Sequence, residues 1–93
     1  MTGKVRVSLR HEAVLRFLAR QDHSRSDVAI YHSDEWVLAQ RLQPPHVDFA
    51  EAQSCVLYLV DLGFVTREKT GVMRRSEITE AGRAYLAEVD AGV

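Results

Sequence analysis

The chain has no long apolar run. Nothing in its 93 residues approaches the ~18 consecutive apolar positions of a membrane span, so no membrane partner is expected. The first residues also lack the apolar core of a secretory signal, and a cytoplasmic location is the expectation. Cys55 stands alone, which excludes an internal disulfide and agrees with a reducing compartment. HExxH, GxSxG and Gly-rich phosphate loops are missing, and no nucleophile is paired with a base at a recognisable spacing. Neither an enzyme nor a cofactor is therefore expected, and Cys55 reads as a small packing or surface residue. Internal repeats, low-complexity tracts and Gly/Ser linkers are absent as well. Residues 1–93 thus read as a single domain. A chain this short buries only about 60–65% of its unfolded surface, so a homodimer is a natural source of further stability.

What is present is an uneven charge. The formal net charge of −1 hides three zones. Residues 1–25 carry Lys4, Arg6, Arg10, Arg16, Arg20 and Arg25 against Glu12 and Asp22, which leaves +4. Residues 26–64 carry Arg41 against Asp27, Asp34, Glu35, Asp48, Glu51 and Asp61, which leaves −5. Residues 65–93 balance. Asymmetry of this kind speaks about partners rather than about fold.

Local patterns give an element order. Val5, Val7 and Leu9 alternate, which suits a short strand or extended arm. Ser8 then caps a helix whose Ala13, Val14, Phe17 and Leu18 share one face. After the polar turn "DHSRSD", the run "VAIY" at 28–31 reads as a short β segment. Ser33 caps a second helix, with Asp34 and Glu35 at its positive end. Trp36, Leu38, Ala39 and Leu42 are its expected buried side, and Pro44 and Pro45 stop it.

"DFAEAQSCVLYLVDLGF" at 48–64 makes the third helix, with Asp48 and Glu51 at a capping-box spacing. Phe49, Ala52, Val56, Leu59 and Val60 form its core stripe, and Gly63 suits a left-handed C-terminal position. "FVTREKTGVMRRSEI" reads as a β-hairpin turning at Lys69–Gly71. Thr79 and Glu80 open a last helix with Gly82, Tyr85, Leu86 and Val89 along one side. The fold class is mostly α with a small β-hairpin, α+β. Trp36, Leu38, Phe17, Val56, Leu59 and Tyr85 are expected to share one core.

Two segments carry a resemblance. "YLVDLGFVTRE" is similar to the end of the third helix and the first wing strand of winged helix-turn-helix proteins. "SEITEAGRAYL" resembles the run that follows the wing in bacterial regulators of the ArsR and MarR kind. The whole pattern, from about residue 5 to 89, also resembles small ArsR-like proteins of Mu-like prophages. The resemblance implies a winged helix-turn-helix domain that binds double-stranded DNA and regulates transcription. It implies that the third helix reads DNA through its outward positions Glu51, Gln53, Ser54, Cys55 and Tyr58. It implies phosphate contacts by Arg67, Lys69, Arg74 and Arg75 in the wing.

The residues themselves leave two functions open. Arg6 and Arg10, with Arg16 and Arg20, offer a second positive face that would help hold phosphates. Yet the third helix has no lysine or arginine, and DNA readers favour Arg, Lys, Asn, Gln, Ser or Thr there. Of its outward residues only Gln53 and Ser54 suit base reading, and the turn before it holds a double proline that the common motifs lack. Leu57 and Tyr58 fall outside the core stripe and suit a protein-binding patch rimmed by acids. A DNA-binding regulator and a winged-helix module for protein partners are both expected readings. The His-x-Asp pairs at 32–34 and 46–48 suggest a metal. Ser33 and Asp48 already serve there as caps, and no metal is expected.

Overall fold

A computed structural model describes residues 6–43 and 49–92. Five helices and a three-stranded antiparallel sheet follow in the order α1 (Leu9–Ala19), β1 (Arg25–Ser26), α2 (Asp27–Tyr31), α3 (Asp34–Leu42), α4 (Phe49–Asp61), β2 (Val65–Thr70), β3 (Met73–Ile78) and α5 (Glu80–Asp90). The architecture is α+β. Among the described residues no helix is long and apolar enough to cross a membrane.

Side-chain caps set most helix starts. Ser8, Ser26, Ser33 and Thr79 each accept a hydrogen bond from the backbone amide three residues on, where a helix leaves its first amides unpaired. Ser8 and Ser33 were expected as caps and Thr79 as the opening of the last helix; Ser26 was not expected to cap. Its Oγ accepts from the Ala29 amide at 3.2 Å, so "VAIY" is helical and not a strand. The sheet partner is the dipeptide before it, Arg25 and Ser26, paired with Ser76 and Arg75 of β3. A four-residue apolar run has no period of its own, and here the cap decided its state.

α4 ends as its sequence requires. Gly63 adopts φ +81°, and the amides of Gly63 and Phe64 close onto the carbonyls of Val60 and Leu59 at 3.0 Å. The chain turns straight into β2, which pairs with β3 from Val65↔Ile78 to Thr70↔Met73, so the turn is Gly71–Val72 and Lys69, expected in it, is a strand residue. β3 lies between the other two strands. Gly82 of α5 passes so close to Phe64 that a Cβ there would meet the Phe64 carbonyl oxygen and stand 2.8 Å from Ile78 Cγ1. That contact explains why the last helix begins with a glycine one turn in.

The core joins α1, α2, α3, α4, the hairpin and α5 through Leu15, Leu18, Ile30, Trp36, Leu59, Ile78 and Tyr85. Phe17 and Val56 belong to it as expected; Leu38 does not. Leu38 and Leu42 are 56% and 59% exposed. At 3.6 residues per turn, Leu38 lies about 200° round the helix from Trp36. α3 therefore buries only Trp36 and Ala39 and turns the two leucines outward. The Asp48 cap, the Pro44–Pro45 stop, His46 and the extended lead-in at Val5 lie outside the described residues.

Candidate nucleic-acid interface

A groove of about 500 Å³ opens between the tip of the hairpin and the first turns of α2 and α4. Lys69 and Arg74 form one wall, Ser26, Asp27, Phe49 and Gln53 the other, and Val72 and Met73 the tip. Two of its lining residues, Asp27 and Gln53, meet Arg67. Arg67 Nη2 donates to Asp27 Oδ2 at 2.5 Å, and Gln53 Nε2 donates to the same oxygen at 3.1 Å. One carboxylate oxygen thus ties the hairpin, α2 and α4 together. The two charged side chains are 10% and 8% exposed, a depth at which each needs the other. Asp27 Oδ1 and Arg67 Nε and Nη1 are buried without a hydrogen-bond partner, as is Ser76 Oγ. Ser76 pairs with Arg67 across the ladder.

Arg67 was expected among the phosphate contacts of the wing, and the fold withdraws it. Side chains alternate along a strand, so Arg67 and Lys69 share a face with their opposite numbers Ser76 and Arg74. Arg67 reaches Asp27 of α2 and Ser76 is buried; Lys69 and Arg74, nearer the hairpin tip, are exposed. Among the described residues neither Lys69 nor Arg74 has an ion-pair partner. Their direct opposition brings two like charges together, which by itself weakens a hairpin. Arg75, on the other face, is half-buried and donates to the side chain and carbonyl of Ser24 at 3.3 Å.

The N-terminal cations are dispersed rather than gathered. Arg6 is exposed ahead of α1. Arg10 is half-buried; its amide donates to Gln43 Oε1 at 3.0 Å and its guanidinium to the Gln43 carbonyl. Arg16 bridges Asp90 at 2.9 Å, and Arg20 clasps Glu35. Each of those two cations faces an acid of the same molecule.

On α4, Ser54, Leu57, Tyr58 and Asp61 are exposed, Leu57 by 53% and Tyr58 by 43%. Glu51 and Gln53 are half-buried. Cys55 departs from its expected outward place, being 1% exposed. It continues the stripe of Ala52, Val56 and Leu59, at positions three and four residues apart. Burial pushes its thiol up to about 12, with Glu51 adding to the shift, so no thiolate is present at neutral pH. Tyr58 packs its ring against His11 of α1, centroids 4.8 Å apart. Burial holds His11 below its ordinary value, and the Glu51 carboxylate partly opposes this.

Among the described residues no three His, Cys, Asp or Glu side chains are grouped to hold a metal ion. Asp27 is the residue that sequence reasoning missed. It stands in a polar stretch that reads as a turn, and its only signal was the Ser-Asp pair at the start of a helix. The chain matches no protein-family model, and no curated protein matches it.

Proposed function

We propose that the chain is a winged helix-turn-helix domain that binds double-stranded DNA, as a small regulator would, with the β2–β3 hairpin as its wing. The order α1, β1, α2, α3, α4, β2, β3, α5 supports the fold, together with a sheet in which β3 lies between β1 and β2. In this reading α4 occupies the place of the recognition helix. The observation that carries the function is the opposed pair Lys69 and Arg74. Two exposed cations held side by side, against their own repulsion, fit a ligand that brings negative charge. A phosphate backbone is such a ligand, and its neutralisation releases counterions.

The contact is narrow. Arg67 is occupied by Asp27, Arg75 by Ser24, and Arg16 and Arg20 by acids. Binding should therefore be weak and dominated by the wing tip. In duplex titrations across a salt series, Lys69→Ala with Arg74→Ala should weaken binding to all sequences alike. The salt slope should flatten by about two units, since each lost phosphate contact removes roughly 0.9. A parent protein that fails to bind duplex at ~50 mM salt and high micromolar concentration would remove this reading.

A second reading has its own observation. The outer side of α4 shows Leu57 and Tyr58 beside Asp61, and the helix holds no cation. An amphipathic ring beside an exposed leucine suits a protein partner. Tyr58→Ala should then abolish partner binding while leaving duplex binding unaltered.

A further inference from the structure

α3 presents a second unpartnered face, on which Asp34, Val37, Leu38, Arg41 and Leu42 are all exposed. Its three aliphatic residues are 39%, 56% and 59% exposed. The order along the face is acid, two aliphatics, base, aliphatic. Asp34 and Arg41 lie at equal distances on either side of the Val37–Leu38 bond. A two-fold axis through that bond would bring an identical α3 alongside, antiparallel. Each Asp34 would then face the partner's Arg41, and Leu38 would face Val37. Among the described residues Asp34 and Arg41 form no salt bridge within the chain, so both are available.

Shape agrees with charge. Beside the leucines runs a groove of about 240 Å³ between α1 and α3, lined by Leu9, Ala13, Ala39 and the two leucines of α3 together with Glu12, Arg16 and Glu35. In this register Leu38 packs on the partner's Val37 at the centre of the seam, and Leu42 reaches the partner's α3 near its first turn. The neighbouring cations are already matched: Arg16 lies 3.8 Å from Glu12, and Arg20 holds Glu35. Nine residues of α3 alone would not supply the roughly 800 Å² per partner of a standard interface. Leu9, 43% exposed on the neighbouring α1, adds apolar surface beside the seam.

We propose that this α1–α3 face is a homodimer interface, built on an antiparallel α3–α3′ seam with two Asp34–Arg41′ pairs. The face contains neither α4 nor the hairpin, so the proposal stands whether or not the DNA reading holds. Its occupant is a second copy because the pattern is self-complementary: like charges would meet in a parallel register, and opposite ones meet in the antiparallel one.

Sedimentation velocity of the full chain over a concentration series tests it. The expected result is a dimer that Leu38→Glu converts to monomer; circular dichroism should show an unchanged fold, since Leu38 lies outside the core. Asp34→Arg alone and Arg41→Asp alone should each weaken the dimer by about tenfold or more in Kd, and the two together should restore it. A parent that stays monomeric to near-millimolar concentration overturns the proposal and leaves the face to a different partner. A dimer indifferent to Leu38→Glu overturns it too, as does failure of the double charge reversal to rescue.

Discussion

Arg67 and Lys69 stand two residues apart on one face of β2, and the fold uses them in opposite ways. Arg67 reaches α2, where Asp27 neutralises it and Gln53 shares the same carboxylate oxygen. Lys69 lies one step nearer the hairpin tip, opposite Arg74, and both are exposed. The strand repeats every two residues, so sequence makes them equivalent. A distance of about 7 Å along the strand separates a structural cation from one available to a ligand. The lesson is that counting basic residues on a hairpin overstates the charge it can offer. Four were expected to reach phosphates, and the arrangement leaves two at the tip.

The largest expected effect breaks that comparison directly. Arg67→Ala strands the Asp27 carboxylate in a buried site and should destabilise the fold by about 3–5 kcal/mol. Lys69→Ala should stay within about 0.5 kcal/mol, as exposed substitutions do. Urea unfolding measures both, and equal losses would show that Arg67 is as solvated as its neighbour.

A similar contrast on α4 tests the helix register. Leu59, fully buried, should cost about 2–5 kcal/mol when cut to alanine. Leu57, two residues earlier and half in solvent, should cost about 0.5 kcal/mol or less. Comparable melting temperatures for the two variants would mean that the faces are assigned wrongly.

Replacing both members of the ion pair sharpens the first comparison. Asp27→Leu with Arg67→Met removes the charges together, along with their unpartnered atoms. The double variant should match the parent or exceed it by up to about 4 kcal/mol. If it is as unstable as Arg67→Ala, the pair contributes more than its mutual neutralisation. If the chain binds duplex as proposed, the affinity should fall little, because Lys69 and Arg74 are retained.

The smallest effect is in pH. His11 has a folded value below 6.5, chiefly through burial. Its neutral form is favoured in the fold, and the unfolded chain takes up the proton first. Its contribution is fully present above pH 6.5, declines as pH falls below that, and is gone once pH passes the folded value. Thermal melts between pH 7.5 and about 5 should show this decline, and His11→Gln should flatten it. An unchanged slope in the variant would assign the pH dependence to other groups.

Much of the fold was legible because its signals are local. Ser8, Ser33 and Thr79 each satisfy an amide three residues away, Gly63 takes a conformation few residues tolerate, and the hairpin strands neighbour each other in sequence. The buried side of α5 follows from helical spacing, as do Ala52, Val56 and Leu59 of α4. Cys55, expected outward, is inside that stripe, and Phe49, expected in it, lines the groove instead. The errors share a cause. "VAIY" lacks a period, and only the Ser26 cap and the pairing of Arg25 with Ser76 made it a helix. Leu38 and Leu42 are as apolar as Trp36, yet which side of α3 is buried depended on where α1 lies.

Sequence by itself therefore determined most of the caps, the glycine end of α4, the α+β class and the charge zones, since each rests on neighbours within a few positions. Tertiary structure alone decided which charges are left to act. Asp27 and Arg67 are forty residues apart, as the hydrogen bond joining them records. No local pattern marks either as the other's partner. Burial creates that dependence, because a charge removed from water is stable only beside its opposite. Only the approach of α2 to the hairpin brings those two residues within reach.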